Sequence, residues 1–228
     1  MKALSILWSV VLTTLFFASC QTEDLASPSG HGSTETLEAR RGPQSGVITF
    51  GGQATGLNAT ITTTQNGTVV SNQTILSQTA LLPASGGSLF ASHGEAIIEG
   101  ALSVDTLTAS TSGQNSQTTS QATATDLNVT VNGNVITADY AAATATATCG
   151  AASGSTTIQN LVVNGNPVTI TGAPNQTVYL SAGSFLIINE QSTNKKVKGK
   201  NINVSALHII IPNGADIRVA TARAEIKC

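Results

Sequence analysis

The chain of 228 residues has the length of one ordinary domain with a tail, and its apolar fraction of 40% is enough for a hydrophobic core. A formal net charge of −2, with only 10% charged residues, excludes a nucleic-acid-binding protein that works by neutralising phosphates. No apolar stretch of about 20 residues follows the N-terminal segment, which excludes a protein that crosses a membrane with several helices.

The N-terminal segment has the pattern of a secretory signal. One positive charge precedes the apolar run Ala3–Phe17, and two small residues follow it directly before Cys20. This ending resembles the bacterial lipobox, in which the signal peptide is removed before a cysteine that carries lipid. We therefore predict a lipoprotein signal peptide over residues 1–19 and lipidation, including palmitate, at Cys20. The alternatives are an ordinary signal peptide with a chance cysteine and an uncleaved anchor helix.

The residues after Cys20 predict where the protein is displayed. The string Cys20–Asp24 resembles the acidic signal that exports Bacteroidota lipoproteins to the outer cell surface. Residues 20–45 are rich in Pro, Gly, Ser and charges and have too little apolar surface to offset the entropy of ordering, so they predict a flexible tether. The expected location is the bacterial outer membrane, with a lipid anchor and a surface-exposed domain.

Residues 46–228 are expected to form a single all-β domain. Alternation with a period of two runs through Asn128–Val131 and Ala143–Thr148, while Ser184–Ile188 and Val204–Ile211 are apolar and β-branched. Three Asn-Gly pairs, beginning at residues 66, 132 and 164, favour tight hairpins because both residues accept positive φ. The pattern predicts an antiparallel β-sandwich or jelly-roll-like fold.

Two cysteines remain once Cys20 is assigned to lipid. In an exported protein, such a pair is expected to be oxidised, so we predict a disulfide between Cys149 and Cys228. The alternative is two free thiols.

The C-terminal half carries an ordered series of motifs. They are Ala145–Cys149, Ser155–Ile158, Leu161–Gly165, Ala173–Thr177, Ile188–Gln191, Val204–His208 and Gly214–Ile217, ahead of Cys228. The series resembles the bacterial choice-of-anchor P family, and Ala54–Leu57 and Leu102–Val104 extend the resemblance over residues 46–228. The resemblance implies an exported domain that is fixed to the envelope. It implies location more than mechanism, because the family has no established catalytic activity.

Few residues suggest chemistry. Gly-x-Ser-x-Gly, His-Glu-x-x-His and Cys-x-x-Cys patterns are absent from the sequence. The best candidate is Glu190 with His208, brought together on neighbouring strands, where an ion pair that holds the sheet explains them as well as acid–base work does. Glu95 and Glu99 suggest a carboxylate patch, but the dense Asp/Asn loop of a Ca²⁺ site is missing. We predict no metal, no cofactor and no catalysis.

The sequence also predicts features of the surface. Five aromatic residues of the folded part are spread along the chain and are expected to lie mostly in the core, namely Phe50, Phe90, Tyr140, Tyr179 and Phe185. Alternating threonines suit an ice-binding surface only if they form ranks in constant register, so exposed strand threonines are the simpler interpretation. Residues 195–200 carry four lysines and are interpreted as a solvated hairpin tip or a contact for acidic glycan or lipid headgroups.

The leading hypothesis is a non-catalytic, lipid-anchored envelope protein that mediates surface contact or adhesion. The expected partners are the membrane, through the lipid, and a glycan or protein at the cell surface, with no nucleic acid. The first alternative is a lipoprotein that binds a glycan or small ligand. The second is an enzyme of unknown type that uses Glu190 and His208.

Overall fold

A computed structural model describes residues 47–196 and 198–228. The predicted signal peptide, Cys20 and the tether lie outside the described residues, so their assignments stay predictions. None of the described residues belongs to a helix long and apolar enough to cross a membrane.

The described chain forms a 3-10 turn at Ser181–Gly183 and fifteen strands. In chain order the strands are β1 (Thr49–Gln65), β2 (Thr68–Gln78), β3 (Gly87–His93), β4 (Ala96–Ile98), β5 (Leu102–Val104), β6 (Thr106–Gln114), β7 (Gln117–Val131), β8 (Asn134–Thr148), β9 (Ala152–Gln159), β10 (Val162–Val163), β11 (Asn166–Pro167), β12 (Gln176–Tyr179), β13 (Phe185–Ser192), β14 (Lys200–Ile211) and β15 (Ala215–Lys227).

The strands form two antiparallel sheets that pack face to face. Sheet A has the order β12-β13-β14-β15-β1-β2. Sheet B is built around the long β7–β8 hairpin, with β6 and β5 beside β7 and with β9 and β10 beside β8. Strand β3 pairs with β6, β4 with β5, and β11 with β10. The prediction of an all-β, antiparallel sandwich is confirmed.

The three predicted Asn-Gly turns are present. Each joins two paired strands, β1 to β2, β7 to β8, and β10 to β11. All six turn residues have positive φ, for example 50° at Asn66 and 77° at Gly67. Because asparagine and glycine adopt this backbone region readily, these turns determine the register of their hairpins.

An irregular row crosses sheet A and interrupts the predicted alternation. Positive φ occurs in alternate strands, at Asn189 of β13 (54°), Ala220 of β15 (50°) and Ser77 of β2 (52°). Ala206 of β14 and Gly56 of β1 complete the row. In β15 the inward residues are odd-numbered before the row and even-numbered from Ala220 onward. In β13 and β15, two consecutive buried residues mark the point where the strand changes phase.

Small side chains allow a close approach of the two sheets. Fully buried alanines include Ala122, Ala124, Ala143, Ala145 and Ala147 on sheet B and Ala206, Ala222 and Ala224 on sheet A. A Cβ atom at Gly52 of β1 would lie 2.5 Å from Oγ1 of Thr111 in β6. There is consequently little room for large side chains where these alanines and Gly52 face each other.

Hydroxyl groups bridge the sheets directly. Thr118 donates to the carbonyl oxygen of Glu225 at 2.8 Å, and Ser120 donates to that of Arg223 at 2.6 Å. Since the single hydroxyl hydrogen of Ser120 is used in this bond, Thr111 donates to Oγ of Ser120, 2.6 Å away. These three hydroxyl-bearing side chains are at most 1% exposed, so their hydrogen bonds replace water inside the core.

The predicted disulfide is present. Cys149 follows β8 and Cys228 follows β15, and their Cα atoms are 5.7 Å apart. The bond links a strand of sheet B to the last strand of sheet A across 79 residues of sequence.

Candidate functional site

The structure brings Glu190 and His208 together, as the sequence predicts. Glu190 lies in β13 and His208 in the adjacent β14, on the face of sheet A that points away from sheet B. Asp216 and Arg218 of β15 complete what we call the His208 cluster, because His208 pairs directly with Arg218 across the β14–β15 ladder.

Each imidazole nitrogen of His208 faces a carboxylate. Nδ1 lies 3.1 Å from Oε1 of Glu190, although the alignment falls short of a hydrogen bond, and Nε2 lies 3.1 Å from Oδ1 of Asp216. Arg218 bridges the two acids, with Nη1 3.1 Å from Oδ1 of Asp216 and Nε 3.7 Å from Oε2 of Glu190. A doubly protonated ring offers one donor to each carboxylate, whereas a neutral ring offers only one in total.

The surroundings of Glu190 favour its ionised form. The contact with His208 lowers the pKa of Glu190 below its ordinary value of 4.5, and the charges of His208 and Arg218 act in the same direction. Partial burial acts the other way, because removing a carboxylate from water favours its neutral form. The attraction prevails, so Glu190 is an anion at neutral pH.

The His208 cluster is closed on itself. His208 is 3% exposed, and each of its ring nitrogens lies 3.1 Å from a neighbouring carboxylate oxygen. Its partners are more accessible, with side-chain exposures of 28% for Glu190, 38% for Arg218 and 50% for Asp216. The arrangement links three adjacent strands, and burial together with the two flanking carboxylates blocks the access of a substrate to the imidazole.

Sequence reasoning missed Asp216 and Arg218, although a signal for them exists. A fourth Asn-Gly pair, Asn213-Gly214, lies in the connection between β14 and β15, and φ of Asn213 is 56°. A hairpin centred on Asn213 places Arg218 opposite His208, because the two residues are equally far from Asn213 along the chain. Recognising this turn would have completed the cluster.

The outer face of sheet B is a second candidate site, which we call the hydroxyl face. Three rows of residues cross β3, β6, β7, β8 and β9 in cross-strand register. They are Ser88–Ser112–Thr119–Thr146–Ser153, Phe90–Ser110–Gln121–Thr144–Ser155, and Ser92–Thr108–Thr123–Ala142–Thr157. Twelve of these fifteen residues are Ser or Thr and none is charged. Side chains of these rows lie about 4.7–4.9 Å apart between strands and about 6.5–7 Å apart along each strand.

The strand threonines of this face point away from the other sheet, and most of them are half-buried rather than fully exposed. Thr108 bonds to Thr123 across the strands at 2.6 Å, and Thr119 pairs with Thr146. The rows nevertheless mix Thr with Ser, Gln, Ala and Phe, so they do not form the uniform ranks that an ice-binding surface requires. The face is uncharged and hydroxyl-rich without being a regular lattice.

A shallow depression lies on the hydroxyl face beside Phe90. It has a volume of about 480 Å³ and is bordered by Ser88, Ser110, Thr119 and Gln121. The ring of Phe90 is 69% exposed here, which corrects the expectation that the aromatic residues lie mostly in the core.

Burial contradicts that expectation for Tyr179, Tyr140 and Phe185 as well. Tyr179 is 85% exposed, and Tyr140 and Phe185 are half-buried, whereas Phe50 is half-buried and packs against the core. Where the sheets approach closely, as at Gly52, alanine and hydroxyl side chains fill the interior, and the ring of Phe50 packs beside Gly113 of β6.

The remaining candidates do not converge on a site. Glu95 lies in the connection between β3 and β4, and Glu99 lies in the turn after β4. Within the described residues, no group of three or more His, Cys, Asp or Glu side chains has the arrangement of a metal site. Lys195, Lys196 and Lys198 are exposed in the connection between β13 and β14, as expected of a solvated hairpin tip.

Comparison of the chain with protein-family models, with curated proteins and with solved structures finds no match.

Proposed function

We propose that this protein is a non-catalytic, lipid-anchored protein of the bacterial outer membrane that acts by surface contact or adhesion. The hydroxyl face carries the proposal, because it presents twelve hydroxyl groups on five paired strands without a single charge. Each hydroxyl both donates and accepts a hydrogen bond, so the face suits repeated weak contact with a neutral, polar surface. The predicted anchor at Cys20, the predicted tether and the resemblance to the choice-of-anchor P family support the same location.

We assign the His208 cluster a structural role. The imidazole that an enzyme would use as a base is buried and held between two carboxylates. If this role is right, Glu190→Gln and His208→Ala lower the melting temperature and leave adhesion of correctly displayed protein unchanged. Loss of adhesion at full display and unchanged melting temperature would return the pair to the functional candidates.

The contact role of the hydroxyl face is tested with a charge placed at its centre. Cells that display the full chain are compared with cells that display Thr144→Glu or the matched control Asn203→Glu, which puts the same charge on an exposed position of sheet A. The measurement is the number of cells retained on hydroxylated glass under flow, normalised to the displayed protein. We expect Thr144→Glu to lower retention severalfold and Asn203→Glu to leave it unchanged. Equal retention by both variants and the parent would refute the contact role.

The proposed location is tested by adding protease to intact cells, with lysed cells as the control. Digestion of the full chain on intact cells is the expected result. Protection until lysis would place the domain in the periplasm and would remove the surface-export interpretation of residues 20–24.

The depression beside Phe90 favours binding of a neutral glycan as a second candidate function. An exposed ring next to hydroxyl and amide groups offers both an apolar platform and hydrogen-bonding partners to a sugar. Phe90→Ala is expected to weaken binding of the full chain to immobilised dextran severalfold, while Tyr179→Ala, an exposed ring on sheet A, has no effect. Absence of dextran binding by the parent protein would leave contact or adhesion as the only proposed function.

A further inference from the structure

Strand β2 forms one edge of sheet A and is unusually open. Its pairing with β1 continues as far as Gln65 with Thr68, whereas pairing of β1 with β15 ends at Ile61 with Ala215. The β1–β2 hairpin therefore extends beyond the body of the sheet. We call residues Thr68–Ile75 the free edge, since their backbone has β1 on one side and, among the described residues, no hydrogen-bonded strand on the other.

The other long edges are partly covered. In β9 the carbonyl oxygen of Gly154 accepts a hydrogen bond from Gln191, and in β3 that of Ala91 accepts one from Ser77. The opposite edge of sheet A, β12, is only four residues long. Short strands and covered carbonyls are recognised means of preventing edge-to-edge pairing.

The free edge lacks the usual protective residues. It contains no Lys, Pro, Asp or Glu, and the chain carries no Lys, Arg, Asp or Glu from residue 42 to residue 94. Two apolar side chains on it face solvent, Val69 at 68% and Ile75 at 42% exposure. An exposed, uncharged strand with unpaired backbone groups is a template for a further strand.

We propose that two copies of this chain pair through β2, antiparallel, about a two-fold axis at Asn72. When the axis is perpendicular to the sheet, the outer faces of the two copies lie on the same side of the joined sheet. Residues that oppose each other then point to the same face, so an odd-numbered residue of one copy opposes an odd-numbered residue of the other. Centring on Asn72 places Val69 opposite Ile75 twice, once on each side of the axis. A two-fold axis at residue 71 or 73 would not place Val69 opposite Ile75.

A second copy of the chain fits the free edge for a reason of charge. A two-fold axis brings like residues close together, and like charges opposite each other destabilise a strand pair. The free edge has no charge to repel its copy, and Ser71 opposes Gln73 between the two apolar pairs. The proposed pair would place β-branched residues in cross-strand contact, which stabilises sheets.

The pairing is closed and short. It ends before Ser77, where positive φ and the hydrogen bond to Ala91 turn β2 toward sheet B. Each copy has one such edge, and pairing covers it in both copies, so the assembly stops at a dimer and does not continue into a fibre. A contact of about eight residues per copy is small, so the dimer is expected to be weak and concentration-dependent. The inference concerns a different surface from the hydroxyl face and does not rest on the proposed function.

The test uses the full chain in the membranes of cells that express it. Asn72→Cys is oxidised with copper phenanthroline, and products are separated without reductant. A dimer band is expected from Asn72→Cys, because residue 72 opposes itself on the axis. The matched controls Thr157→Cys, exposed on β9, and Thr74→Cys, which would oppose residue 70, are expected to give at least tenfold less.

A charge variant tests the location of the contact. Adding Ser71→Lys to Asn72→Cys is expected to lower the dimer yield at least tenfold, and adding Ser153→Lys, on the edge strand β9, is expected to leave it unchanged. Resistance of each variant to protease digestion verifies that the domain is folded. The proposal is overturned by absence of a dimer from folded Asn72→Cys, by equal yields from Thr157→Cys, by no effect of Ser71→Lys, or by products larger than a dimer.

Discussion

Replacing Ser120 with alanine tests whether hydroxyl–carbonyl bonds hold the two sheets together. The side chain is 0% exposed, donates to the carbonyl of Arg223 at 2.6 Å and accepts from Thr111 at 2.6 Å. The substitution removes both bonds and leaves the hydroxyl of Thr111 buried without this acceptor. A typical buried hydrogen bond contributes about 0.5–1.5 kcal/mol, and a buried unpaired polar group adds a penalty, so we expect a loss of about 2 kcal/mol.

The assay is thermal denaturation of the full chain followed by far-ultraviolet circular dichroism. For a domain of this size, a loss of about 2 kcal/mol lowers Tm by about 4–8 °C. Ser112→Ala is the matched control, because Ser112 lies on the solvent side of β6, and its expected effect is below about 0.5 kcal/mol. Adding Thr111→Val to Ser120→Ala is expected to recover part of the loss, since the unpaired hydroxyl is then removed too. Equal effects of Ser120→Ala and Ser112→Ala would refute the reasoning.

Three further predictions concern charge, the disulfide and the anchor. Glu190→Gln is expected to lower the free energy of unfolding by about 1–2 kcal/mol at pH 7. Since the folded-state pKa of Glu190 is lowered, the difference in unfolding free energy between parent and variant should narrow as pH falls below 4.5. An equal difference in urea denaturation at pH 7 and pH 3 would contradict this expectation. The double variant Cys149→Ala, Cys228→Ala should lower the free energy of unfolding by up to about 4–5 kcal/mol, and its Tm should not change when reductant is added. If reductant does not change the Tm of the parent protein either, the disulfide does not stabilise the fold. Cys20→Ser should abolish incorporation of radiolabelled palmitate, and persistent labelling would exclude Cys20 as the lipidated residue.

Local features of the fold were predictable because their causes lie within a few residues. The turns at Asn66, Asn132 and Asn164 follow from a backbone preference that two adjacent residues carry on their own. The pair Cys149 and Cys228 follows from counting the cysteines of a chain that is predicted to be exported. Alternation of small and hydroxyl residues likewise predicts strands wherever it occurs.

Features that depend on several strands at once were not predictable from the pattern. Val219 and Ala220 look like a continuous apolar stretch, and only the assembled sheet shows that the inward face changes there. The burial of His208 similarly depends on side chains from both neighbouring strands. Residue type alone predicts a core position for aromatic side chains, whereas the distance between the sheets depends on residues such as Gly52.

The row of phase changes in sheet A limits how this chain can vary in length. Removing one residue at Ala220 would move every later side chain of β15 to the opposite face of the sheet. Arg223, Glu225 and Lys227, which pair with one another on the outer surface, would then point between the sheets. Burying these three charges between the sheets costs several kcal/mol for each ion, a total comparable with the stability of an ordinary domain. Insertions and deletions in sheet A are therefore confined to its loops, and each half-strand keeps its number of residues as long as the fold is retained.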